Sequence, residues 1–143
     1  MRKHAHRRPR PISAPMLINR GIQEQSILIA ELVIVEAFVG GWATTYHFDS
    51  LCDMRNVLVL ASAYKDDASA KAICEAMRIP MANLRERYAK TGRFGVTGDE
   101  LQLLRAFVDY YRDFWIRQPV ALYEQACDEL AKFNASLIQE KAA

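Results

Sequence analysis

The stretch from Thr91 to Trp115, TGRFGVTGDELQLLRAFVDYYRDFW, constrains the chain most, because it joins a glycine-punctuated loop to a helix whose start and buried face are both legible. Thr97 followed by Glu100 is the Thr-x-x-Glu pattern, in which a hydroxyl and a carboxylate satisfy backbone amides that the first helical turn leaves without partners. A helix is therefore expected from that point. Along it Leu103, Leu104, Phe107, Tyr110, Tyr111, Phe114 and Trp115 recur at steps of three and four, on one side of a 3.6-residue repeat. Arg105, Asp109, Arg112 and Asp113 fill the other side.

A row of aromatic rings beside basic residues can stack on nucleic-acid bases, but at helical spacing it ordinarily anchors an apolar core, and that is the reading taken. The glycines at 92, 95 and 98 do not make a nucleotide loop. No Gly-Lys-Ser or Gly-Lys-Thr follows them and no apolar strand precedes them, while Asp99 and Glu100 put negative charge where a phosphate would sit. Gly92 reads as the C-terminal stop of the helix before.

The rest of the chain also reads as helix, with no strand alternation. An apolar helix is expected from about Ile22 to Val39, ended by Gly40 and Gly41 and followed by an aromatic connection from Trp42 to Phe48. A second helix, capped by Asp49 or Ser50, extends to about Ala63. A third, capped by Asp66 or Asp67, covers Ala68 to Lys90 and is kinked near Arg78 to Met81, because Pro80 removes a helical hydrogen bond. The fourth is the aromatic helix, ending by Ile116 or Arg117. The fifth starts at Gln118 and Pro119, turns Leu122, Tyr123, Ala126, Leu130, Phe133 and Leu137 inward, and frays from Gln139 to Ala143. The short link between the last two predicts an antiparallel pair.

At 143 residues and 51% hydrophobic content the chain has room for one domain with a core. The expected architecture is all-α: a single-domain bundle of about five helices over residues 21–143, behind an extended basic arm, residues 1–20. Pro9, Pro11 and Pro15 exclude a continuous helix in that arm. It holds six basic residues and no acid, leaving 13 basic against 17 acidic groups in the body. A basic arm on a mildly acidic body suits nucleic acid, an acidic protein surface, or solvent.

Cys52, Cys74 and Cys127 are odd in number, widely spaced and in helical runs, which points to free thiols in a reducing cytoplasm. The run from Ile27 to Ala43 is interrupted by Glu31 and Glu36 and ends at two glycines, so it reads as a buried helix and no membrane association is expected. His4 and His6 lack a third ligand, and His47 has no assigned nucleophile or carboxylate partner. No catalytic residue, metal ligand, cofactor or small-molecule substrate is therefore expected.

Two stretches carry a resemblance. The pattern R-x-x-x-x-G-R-F-G-x-T-G-D-E-L-x-x-L-R from Arg87, continued by D-F-W-x-R-Q-P-x-x-L-Y-E from Asp113, resembles small helical proteins of unknown function encoded on prophages and plasmids of Gram-negative proteobacteria. The segment R-P-R-P-I-x-x-P-M, Arg8 to Met16, is similar to the start of the same group. The resemblance implies a mobile-element setting and no activity.

The function expected is that of a non-enzymatic interaction protein. It binds a host, phage or plasmid protein as an inhibitor or adaptor and associates with itself, since the helix ending at Val39 is apolar on nearly every side. Nucleic-acid association is the second reading. It draws on Arg7, Arg8 and Arg10 in the arm and on Arg85, Arg87, Lys90, Arg93 and Phe94, basic residues interleaved with aromatic ones, with Arg93 and Phe94 expected at an exposed loop tip.

Overall fold

The aromatic helix forms where the sequence places it. In a computed structural model describing residues 31–142, Glu100 N–H donates to Thr97 Oγ1 (3.3 Å) and Thr97 N–H donates to the Glu100 carboxylate (2.9 Å). That reciprocal pair opens a helix over Gly98–Ile116. Leu104, Phe107, Val108, Tyr111, Phe114 and Trp115 are buried on it, and Leu103 and Tyr110 pack against the same core from partly buried positions.

In chain order residues 31–39 are helical (α1), followed by α2 (Thr45–Lys65), α3 (Ala68–Ala76), α4 (Arg78–Thr91), α5 (Gly98–Ile116) and α6 (Val120–Ala142). The fold is all-α, with no strand among the described residues. None of the described helices is long and apolar enough to cross a membrane. The arm, with Arg7, Arg8 and Arg10, and the expected helix from Ile22 up to residue 30 lie outside the described residues.

Several boundaries follow local chemistry. The aromatic connection is shorter than expected, because Thr44 caps α2 five residues before the earliest cap read from the sequence. Thr44 N–H donates to His47 Nδ1 at 3.0 Å, so the imidazole fills the role glutamate fills in α5. That bond requires a lone pair on Nδ1. Ser50 lies inside the helix and its hydroxyl donates back to the Tyr46 carbonyl at 2.9 Å. Asp67 caps α3 by accepting Ala70 N–H at 3.0 Å. The expected kink is a break at Met77 between α3 and α4, with Pro80 in the first turn of α4, where a missing N–H costs least. Gly92, at φ 71°, ends α4 in the left-handed conformation glycine adopts freely.

α2 is the central helix, burying Phe48, Leu51, Met54, Val57, Leu58 and Ala61. It packs on α3 and, more extensively, on α6. The close backbone neighbour of α6 is α2. Leu122, Ala126 and Leu130 form one narrow buried stripe, and the small Ala126 lets two backbones approach. α5 meets α6 through long side chains, with the Trp115 and Tyr123 rings edge to face at 4.9 Å. Beyond Leu130 every described residue of α6 is exposed, Phe133 and Leu137 included, against the inward positions expected of them. The helix extends to Ala142.

Candidate interaction surfaces

The basic run at the end of α4 does not form one surface. Arg87 turns back onto the loop and α5, its guanidinium donating to the Gly95 carbonyl and, at 2.7 Å, to the Glu100 carboxylate. Burial by itself would raise the Glu100 carboxyl, but the hydrogen bonds from Arg87 and Thr97 hold it below the ordinary glutamate value. Lys90 pairs with Glu86 at 2.8 Å, one turn away on the same helix. Arg85 faces α2, its guanidinium carbon 5.7 Å from the centre of the Phe48 ring. Arg93 is exposed, as expected of a loop tip.

Phe94 corrects the sequence reading. It is 5% exposed and buried in a stack of rings. Tyr88 lies parallel to it at 4.3 Å, Phe48 parallel at 5.0 Å, and Phe38 meets it edge-on at 6.0 Å. The loop folds Phe94 inward because an aromatic side chain next to three others gains more by burial than by exposure beside Arg93.

A second surface lies at the junction of α1 and α2. Ile34, Ala37 and Phe38 turn inward, while Leu32 (64% exposed), Val33 and Val39 face out. Leu32 and Val39 are two turns apart and share a face. After Gly40 and Gly41, Trp42 folds back over the chain so closely that a Cβ added at Gly40 would lie 2.5 Å from the indole Nε1. The Trp42 ring is edge-on to His47 at 5.2 Å, and Tyr46 is edge-on to the same imidazole at 5.6 Å. Trp42 and Tyr46 are nevertheless 53% and 73% exposed. The capping bond positions this group, since the helical turn that holds His47 also fixes Tyr46 and the path of Trp42. The sequence signal was the aromatic content of residues 42–48, which reads as a connection until the cap at Thr44 is known.

Chemistry elsewhere is sparse. Burial raises all three thiols above the ordinary cysteine value, Cys74 to about 11, so they stay protonated at neutral pH. Among the described residues no group of three or more His, Cys, Asp or Glu side chains is arranged to hold a metal ion. Comparison of the chain with protein-family models, with curated proteins and with solved structures finds no match.

Proposed function

We propose that this chain is a non-enzymatic helical interaction protein that works by binding another protein, and that it associates with itself through the same apolar surface. The supporting observation is the junction of α1 and α2, where Leu32, Val39, Trp42 and Tyr46 are all exposed around the Thr44–His47 cap. Exposed aromatic anchors with aliphatic neighbours are what protein interfaces are built around, and a monomer gains nothing from leaving them in water. The resemblance of Arg8–Met16 and Arg87–Tyr123 to prophage and plasmid proteins makes a host protein, or another product of the element, the partner, with this chain as inhibitor or adaptor. The histidine of the junction is committed to a helix cap and the thiols stay protonated, which favours binding over catalysis.

Sedimentation of the full chain, with affinity capture from a host lysate, tests the reading. Self-association that weakens in Trp42→Ala and Tyr46→Ala, and a captured protein lost from both variants, would support it. A wild-type monomer that retains no partner would sink it. Gly40→Ala is a milder probe, because it displaces the Trp42 indole while leaving the ring itself in place.

A further inference from the structure

Between α2 and α4 lies a cleft of about 240 Å³, walled by Phe48, Cys52 and Arg55 on one side and by Arg78, Met81 and Arg85 on the other. Three of these residues are arginines. Arg78 and Arg85 are seven positions apart, two turns of α4, and project from one face. Arg55 comes from the opposite wall.

Two of the three guanidinium groups are anchored through Nε. Arg55 Nε donates to the Cys74 carbonyl at 2.9 Å, and Arg78 Nε donates to Glu75 at 2.9 Å. Arg85 rests over the Phe48 ring. An arginine anchored through Nε still presents its two terminal amino groups, the fork that grips phosphate or carboxylate oxygens in pairs. Among the described residues no carboxylate lies within ion-pair distance of Arg55 or Arg85, and Glu75 is the acid paired to Arg78. Asp49 and Asp53, which flank Cys52 on α2, pair with none of the three. Three guanidinium groups line one small cleft, and Glu75 is the only acid among the described residues in direct contact with any of them, which leaves Arg55 and Arg85 without a contacting counter-charge there.

We propose that this cleft binds the phosphoryl group of a small phosphorylated ligand, its oxygens held by the terminal amino groups of Arg55, Arg78 and Arg85. A phosphate monoester brings close to two negative charges and three strong acceptor oxygens, which suits three forks and the residual charge. The volume is below the 300–1,000 Å³ usual for drug-sized ligands, so the ligand is a phosphoryl group with a small body, seated against Phe48 and Met81, and not a nucleotide. Cys52 stays a thiol, because burial outweighs the pull of Arg85, so the cleft holds its ligand without attacking it. This site is independent of the apolar junction and stands whether or not that surface binds a protein.

Titration calorimetry of the full chain at fixed ionic strength tests it, using inorganic phosphate, phenyl phosphate and succinate. Saturable binding of a phosphate is expected, with phenyl phosphate tighter than inorganic phosphate if a monoester is the natural ligand and weaker if free phosphate is. Arg85→Gln and Arg78→Gln should each weaken it about tenfold or more, the loss typical of one charge-assisted hydrogen bond, with Arg85→Lys intermediate because it keeps the charge and loses the fork. Both positions are exposed, so the variants should keep the wild-type circular dichroism and melting profile. Absence of saturable heat with either phosphate, undiminished affinity in the Arg78→Gln/Arg85→Gln double variant, or succinate binding as tightly as phosphate would overturn the proposal.

Discussion

Arg112 Nη1 donates to Glu31 Oε1 at 3.0 Å, tying α5 to α1 across 81 positions of sequence. The partnership is unequal. Glu31 is buried and its second oxygen has no hydrogen-bond partner among the described residues, while Arg112 is also shared with Asp109 at 3.5 Å and Asp113 at 3.6 Å. Burial is the dominant influence on the Glu31 carboxyl, and it lifts the group above its ordinary value against the pull of Arg112.

The sign of the pH effect follows. A carboxyl raised in the folded state holds its proton more tightly there than in the unfolded chain. Its contribution is therefore fully present below about pH 4.3 and is lost as pH rises through the higher folded value. Glu31→Gln should flatten that part of the stability profile in urea unfolding, and at pH 7 it should be neutral or stabilising by up to about 1 kcal/mol. Arg112→Ala should instead cost about 1–3 kcal/mol, the penalty for leaving a buried carboxylate without its donor.

Glu100 slopes the other way. Its carboxyl is held low by Arg87 and Thr97 against the effect of burial, so its contribution is present above about pH 4.3 and lost as pH falls through the lower folded value. Thr97→Ala should cost about 0.5–2 kcal/mol through the cap alone. Glu100→Gln and Arg87→Ala should show coupling of at least about 0.5 kcal/mol in a double-mutant cycle, because each removes the other's partner. Additive effects would mean the bridge across the loop contributes nothing.

Phe94 gives a test by contrast with its neighbour. Phe94→Ala removes a ring stacked between Tyr88 and Phe48 and should cost about 3–5 kcal/mol in chemical denaturation, with Arg93→Ala within about 0.5 kcal/mol of wild type. Equal effects at the two positions would contradict the buried stack.

The local signals were legible where they were complete in themselves. Thr97 with Glu100, the Asp66–Asp67 pair before α3, Gly92 after α4 and the aromatic stripe of α5 each depend on residues within a turn or two, so short-range chemistry fixes them. The start of α2 was misread because His47 in a capping role is chemically sound but uncommon beside the nearby Asp49 and Ser50. Phe94 was misread because exposure depends on Phe38, Phe48 and Tyr88, which come from three separate helices.

The sequence alone thus determined that the chain is helical, where most helices begin and end, and which face of α5 is buried, since capping and periodicity act over a few residues. Tertiary structure decided which helices are neighbours and which charges meet. It set α6 on α2, turned Arg87 and Lys90 onto acids, and collected Arg55, Arg78 and Arg85 from two helices into one cleft. Those outcomes depend on packing between segments distant in the chain, and no local propensity encodes them.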